Sequence, residues 1–310
     1  ICKIGYSSFN RVKDRLAAKL QTVDRYLHFT LVKENWDTIR ALNYIRKKIG
    51  VSLKRFGISG MKDKQAITAQ RVSLWKGNIK DMIRLKLPDI FLKDFEYADE
   101  RITLGNAIGN RFVITIRDSC KKNEEILDIL NRFKEIVTSQ GVPNYYGPQR
   151  LGGRNADVGK AIINGNLKLA TEIILKKIQP FLVGGGVKSI PRVFWYEKNM
   201  LRHLAKFPND YAGAIRKIPK RIRRLYTHAY QSYIFNEKLG QKLLKKRVPK
   251  TIIVQGYTVP TMPELNTIPI ERNSYLIAKD FKTLMVKNGI VKIRFTLPSG
   301  GYASTLLSHL

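Results

Sequence analysis

Apolar and polar residues alternate through YLHFTLVK, Tyr26 to Lys33, as in a strand that buries one face. The period then changes. Ile39, Leu42, Ile45 and Ile49 fall on one broad helical face, Asp37 or Thr38 can cap that helix, and Gly50 marks its stop. AITAQRVSLW returns to strand character, so GISGMKDKQ just before it is predicted as a loop or turn feeding a strand. NRFVITIR, Asn110 to Arg117, is the next strand. Ile126, Ile129, Leu130, Phe133 and Val137 predict an amphipathic helix with Asn123 as its cap. Strands alternating with helices predict an α/β or mixed α+β fold.

Beyond Pro148 the pattern changes character. GPQRLGGRNADVG is glycine-rich, Val158 to Lys177 reads helical with a break near Gly165, and GGG at 184 to 186 is a flexible join. RRLYTHAYQSYIFNEKL predicts a helix offering Leu225, Tyr226, Ala229, Tyr230, Tyr233 and Ile234 for burial, with Arg221, Arg223 and Arg224 at its start. A turn-rich stretch at 258 to 269 follows. VKIRFTLPSGGYASTLL then reads as a strand, a turn and a short helix.

Charge narrows the function more than length does. The 310 residues carry 57 Lys and Arg against 24 Asp and Glu, a net charge of +33 and a pI near 10.2, while 44% are apolar. That apolar share is enough for one large or two medium folded domains. The positive field favours polyanions, RNA or DNA first. An anionic membrane would feel the same field, but the sequence contains no spanning apolar segment and no signal-peptide pattern. Cys2 and Cys120 make no disulfide framework, and the four histidines lack ligand-like spacing, so no metal is expected and a reducing, cytoplasmic compartment suits the chain. P-loop, dinucleotide, HExxH and CxxC motifs do not occur. The chain begins at Ile1 rather than Met, so the expectation is either that its true start has been removed or that further residues precede it.

Asp63 stands between Lys62 and Lys64 in the predicted turn. It admits two readings: a turn or cap hydrogen bond among solvated lysines, or a carboxylate kept ionised by its neighbours to act on a polyanionic substrate. Phe112 is likewise divided, core packing being the commoner role and stacking on an extruded base the alternative, and Asn110, two residues earlier, stands between a strand-start hydrogen bond and a base-edge or carboxylate contact on the same side. NYYGPQR, Asn144 to Arg150, reads either as a packed loop or as an RNA-positioning element.

Five separated segments resemble the TruD-type tRNA pseudouridine synthases, in order from about Tyr26 to Leu310. GMKDKQAITAQ is similar to the family's signature and places its catalytic Asp at Asp63. GNRF resembles the motif that supplies an Asn and a base-stacking Phe, here Asn110 and Phe112. NYYGPQRLG, THAYQSYIFN and RFTLPSGGYAS resemble later motifs in the archaeal and eukaryotic branch. An upstream acidic–Phe–x–Val–x–Glu segment does not occur in Ile1 to Gln21, and Ser299, Gly301 and Ser304 depart from the familiar ending.

The resemblance implies a mixed α+β pseudouridine-synthase catalytic domain at 1–154 and 286–310, with a TRUD domain inserted at 155–285. It implies conversion of a specific uridine, tRNA position 13 by the family's preference, to pseudouridine. Asp63 is the implied catalytic carboxylate. Asn110, Phe112, Lys62, Lys64, Tyr146, Gln149 and Arg150 are the implied substrate contacts. The implied partner is tRNA or another structured RNA; no cofactor, metal, membrane or obligatory protein partner is expected. A noncatalytic RNA-binding homologue is the alternative. A DNA-binding or DNA-repair protein would explain the charge but not the five ordered segments.

Overall fold

The computed structural model describes residues 25–183 and 186–310. The stretch Ile1 to Gln21, Cys2, and Gly184 and Gly185 of the GGG join lie outside the described residues. The chain divides into two compact units, Ile1–Ile108 and Gly109–Leu310.

In the first unit, β1 (Tyr26–Glu34) follows the alternation of its sequence, burying Leu27, Phe29 and Leu31. α1 (Thr38–Ile49) comes next. Asp37 caps it, accepting from the Arg40 backbone N–H at 3.0 Å, a contact worth about 1 kcal/mol. Gly50 ends it in the left-handed region at φ 68°, where a side chain would be strained. The buried line of α1 runs through Thr38, Ala41, Leu42 and Ile45, which leaves Ile39 and Ile49 half-buried at its edges. β2 (Phe56–Ile58), β3 (Ile67–Trp75), the short α2 (Ile79–Ile83) and β4 (Ile90–Ala98) complete the unit. The sheet has the order β2-β3-β1-β4 with every pairing antiparallel. Burial of each large side chain such as Leu27 or Phe29 contributes about 1.5–3 kcal/mol.

The second unit holds two separate large cores. One is built from β5 (Gly109–Ile116) and α3 (Asn123–Ser139), together with elements from the end of the chain. Asn123 is the first helical residue of α3 rather than its cap. Lys122 takes the cap position without a side-chain bond, and Glu124 and Glu125 in the first turn complement the helix dipole instead. β6 (Val142–Pro143) and α4 (Pro148–Leu151) lead out of this core.

The other large core belongs to α5 (Asn155–Ile163), α6 (Leu167–Leu175), α8 (Trp195–Lys206), α9 (Tyr211–Arg216) and the long α10 (Lys220–Leu244), with the short α7 (Gln179–Leu182) burying no residue. The expected break falls at Gly165, with φ 76° between α5 and α6. α5 crosses α10 at Gly159, where a Cβ would lie 2.0 Å from the Tyr226 carbonyl oxygen; only glycine admits that approach. On α10, Tyr226 and Ala229 are buried as expected, but Leu225 and Tyr233 are exposed. The buried face instead runs on through Phe235 and Leu239 and includes Thr227, Gln231 and Ser232, whose side chains all make hydrogen bonds.

β7 (Thr251–Val254) pairs with β8 (Ile270–Asn273), and β9 (Tyr275–Leu276) pairs back on β6. β10 (Lys279–Lys287) and β11 (Ile290–Pro298) then join β5 in a sheet ordered β10-β11-β5, before α11 (Ala303–Leu307). All ladders among the described residues are antiparallel, so the architecture is the mixed α+β form of the expectation.

Candidate active site

Asp63 lies in the loop between β2 and β3, and its side chain is exposed. The backbone around it is anchored. Lys33 occupies the inward phase of β1 after Leu27, Phe29 and Leu31, and is only 1% exposed. Its ammonium donates to the Asp63 carbonyl at 2.7 Å and the Lys62 carbonyl at 3.4 Å. The Thr38 hydroxyl, at the first turn of α1 and fully buried, accepts from the Lys62 N–H at 3.1 Å. Gln70 Nε2 donates to the Gly60 carbonyl at 3.3 Å. A lysine in a core phase is costly unless it is bonded, and here it is bonded to the loop that carries the carboxylate.

Electrostatics separate the two flanking lysines. Burial pushes the Lys62 ammonium down, and the Asp63 charge opposes the shift. Burial likewise lowers Lys33, against Asp37 and Asp63. Lys64 is exposed. Lys62 is therefore the flanking cation held within the field of Asp63. Sequence reasoning missed Lys33 and Thr38, although the β1 alternation already places Lys33 on the core side.

Asn110 and Phe112 point to the same side of β5, opposite Leu297 and Phe295 of β11. Phe112 is half-buried, with its ring 5.6 Å from that of Phe295 in a stacked arrangement. It contributes to the core without being enclosed by it.

The Asn144–Arg150 segment is drawn into a network. Asn236 from α10 brackets Tyr146, accepting its N–H at 2.8 Å and donating to its carbonyl at 2.9 Å. The Arg272 guanidinium from β8 sits 4.1 Å from the Tyr146 ring centroid. It donates to the Asn144 carbonyl at 3.1 Å, to Asn144 Oδ1 at 2.5 Å and to the Gly300 carbonyl at 2.9 Å. Thr305 donates to the Tyr145 carbonyl at 3.1 Å, and Arg150 Nε to Ser232 Oγ at 3.3 Å. Three of the sequence segments thus meet here: NYYGPQRLG, THAYQSYIFN through Ser232 and Asn236, and RFTLPSGGYAS with its continuation through Gly300 and Thr305. Tyr146 packs edge-on against Phe235 and Tyr302. The Gln149 side chain lies outside the described groups. Asn236 and Arg272 were not among the expected site residues.

Fold and site define a basic α+β protein that presents one carboxylate from a braced loop. A family profile described as tRNA pseudouridine synthase D (TruD) matches residues 10–181 and 183–258. The chain is 34% identical over 239 residues to the probable tRNA pseudouridine synthase D of Methanosarcina acetivorans, covering 71% of this chain and 54% of that protein. It is 28% identical over 342 aligned positions to the protein of the same name from Methanopyrus kandleri, covering 91% and 84%. With the Methanococcoides burtonii protein of that name the identity is 30% over 310 positions, covering 93% and 70%. The chain spans about half the length of the M. acetivorans relative. A crystal structure of a protein assigned as tRNA pseudouridine synthase D (TruD) from Methanosarcina mazei superimposes with a TM-score of 0.73 at 24% identity, over 93% of this chain and 88% of that one, which establishes the shared fold. The chain belongs to the tRNA pseudouridine synthase D (TruD) family.

Proposed function

We propose that this chain isomerises a specific uridine of tRNA, that at position 13, to pseudouridine. The observation that carries the reading is the exposed Asp63 carboxylate on a loop whose backbone is held by the buried Lys33 and Thr38. A group that must meet a sugar atom closely needs such a fixed mount. In the reaction the N1–C1′ bond of uridine breaks, the base rotates, C5 bonds to C1′, and the C5 proton is lost while N1 is left protonated. Asp63 attacks the sugar or abstracts a proton from it, and the Lys62 ammonium balances its charge. The product is an isomer of the substrate, so the chemistry requires no redox partner.

Asn110 contacts the base, and Phe112 stacks on the uracil with the ring face that Phe295 does not cover. Lys64 and Arg150 meet phosphate, Gln149 contacts the RNA, and Tyr146 orders the segment that carries both Gln149 and Arg150. The catalytic domain comprises 1–154 and a return from about 286, with the TRUD insertion at 155–285. The pairing of β11 with β5 supports that return, and the pairing of β10 with β11 extends it back toward Lys279. No helix among the described residues is long and apolar enough to cross a membrane, which fits a cytoplasmic tRNA-modifying enzyme. Incubation with total tRNA followed by pseudouridine mapping tests the assignment. Conversion at one site is expected; tight binding with no conversion would replace it with a noncatalytic RNA-binding role.

A further inference from the structure

The two larger sheets handle charge in different ways. The four strands of the first unit contain three bases, Lys33, Arg71 and Lys93, and three acids, Glu34, Asp94 and Glu96. Arg71 pairs with Glu96, Lys93 with Asp94, and Lys33 bonds the Asp63 loop. In the second unit β5, β10 and β11 contain six bases, Arg111, Lys279, Lys282, Lys287, Lys292 and Arg294, against the single acid Asp280. The apolar phase of these strands, with Ile114, Phe281, Ile293 and Phe295, belongs to the core. Register sets the bases in the opposite phase. Arg294 lies between Val113 and Lys282, Lys292 between Thr115 and Met285, and Thr296 between Arg111 and Lys279. Lys282 and Arg294 are direct cross-strand partners, an arrangement in which like charges destabilise a sheet. Asp280 lies 4.0 Å from Arg111 and accepts from the Thr296 hydroxyl at 3.3 Å. No carboxylate among the described residues pairs with Lys282, Lys292 or Arg294. Strand and residue spacings set these three backbone positions within about 10 Å of one another, the reach of charge at 0.1 M salt.

We propose that this basic face of the β10-β11-β5 sheet docks the sugar–phosphate backbone of the tRNA, on the side of β5 turned away from Asn110 and Phe112. The proposal rests on the RNA-modifying reading above. Phosphates supply the negative charge that the strands themselves lack, and they relieve the repulsion between Lys282 and Arg294. The face is open, with Arg111, Val113, Thr115, Lys282 and Met285 exposed. Its phase carries no aromatic ring on which a base could stack and no amide to read a base edge, so it grips backbone and is indifferent to sequence. The Thr115 and Thr296 hydroxyls add neutral donors for phosphate oxygens. An anionic membrane would draw on the same charge, but the face offers no Trp or Phe to enter a headgroup layer. Composition alone does not explain the imbalance, because the first unit's sheet, in the same basic chain, is neutral by count.

The test measures binding of labelled total tRNA across a salt series for the parent and for a variant carrying Lys282→Gln and Lys292→Gln together. The slope of log affinity against log salt should become shallower by about 2, and affinity at low salt should fall about 10-fold. KM for tRNA should rise by a similar factor while the single-turnover rate at saturating protein stays parental, because the lost contacts are uniform. Melting temperature should hold or rise, since the variant removes the Lys282–Arg294 repulsion. A second variant, Arg132→Gln with Lys134→Gln on the exposed side of α3, removes the same charge elsewhere and should keep the parental slope. An unchanged slope in the first variant, or an equal change in the second, would overturn the proposal. So would unchanged tRNA binding together with lost binding to phosphatidylglycerol vesicles, which would give the face to a membrane. Pseudouridine formation is followed on the same preparations. Conversion with an unchanged slope removes the docking face and leaves the enzyme; a shallower slope with no conversion by any form keeps the face and removes the isomerase.

Discussion

The loop of Asp63 leans on Lys33 and Thr38, and the Asn144–Arg150 segment leans on Asn236, Arg272 and Thr305. Both are irregular stretches whose backbone groups are satisfied by side chains from other elements. They differ in what is left over. At Asp63 the supports grip the backbone and leave the carboxylate in solvent. At Tyr146 they grip the backbone and also cover the ring, through Arg272, Phe235 and Tyr302. The first arrangement leaves a carboxylate exposed; the second packs a half-buried aromatic ring against its supports. A motif rich in aromatics and arginine can therefore be held by its neighbours, while a solitary carboxylate is left open to solvent.

The sharpest way to break that contrast is Asp63→Asn. Single-turnover pseudouridine formation is expected to fall by about 100- to 10,000-fold, with thermal stability unchanged because the side chain is exposed. A parental rate would leave the loop as structural frame. Arg272→Met should act in the opposite sense. It strips donors from the buried Asn144 carbonyl and side-chain oxygen and a cation from the Tyr146 ring, so a loss of about 3 kcal/mol in denaturant melts is expected. The folded fraction should turn over at close to the parental rate. Lost turnover at full stability would move this segment into the chemistry.

A smaller effect concerns the helix that carries Asn236 and Ser232. Arg223, in the first turn of α10, bonds Glu264 at 2.7 Å, and Arg216 bonds the same carboxylate at 3.1 Å. Desolvation alone would raise the pKa of Glu264. Hydrogen bonds from Arg216, from its own backbone and from Arg223 outweigh that and bring it down to about 2. A depressed carboxylate stabilises the fold above its unfolded pKa near 4.5 and loses that contribution as pH falls through about 2. Glu264→Gln should therefore be less stable than the parent at pH 7, by about 2 kcal/mol, and the gap in melting curves should close between pH 4.5 and 2. A gap independent of pH would assign the loss to packing.

The least effect in size, and the most discriminating in sign, is expected from Lys33→Met. Turnover should fall about 10-fold as the loop loosens, while stability holds or rises because a desolvated ammonium is removed. Parallel loss of both would make Lys33 structural.

Strands β1, β3, β5 and β11, the capped helix α1 and the Asp63 turn were legible because each is written in residues close together: a period, a cap, a glycine. Lys33 was legible in principle, since its place in the alternation of β1 fixes its direction. The frame around Tyr146 was not. Its supports lie 90 residues from Tyr146 at Asn236 and 128 residues from Asn144 at Arg272, and no local period announces such pairings.

The antiparallel pairing of β5 with β11 carries a consequence for biosynthesis. When Ile116 leaves the ribosome, its ladder partner Val291 and the rest of β11 are still untranslated. At about 5–20 residues per second, a separation of roughly 170 residues means a delay of roughly 10 to 35 s. During it the α5–α10 core can assemble from contacts already synthesised, whereas the core under β5 must wait. Nascent chains stalled before and after β11 should accordingly show protease-resistant α5–α10 fragments in both cases, and a protected β5 only in the second.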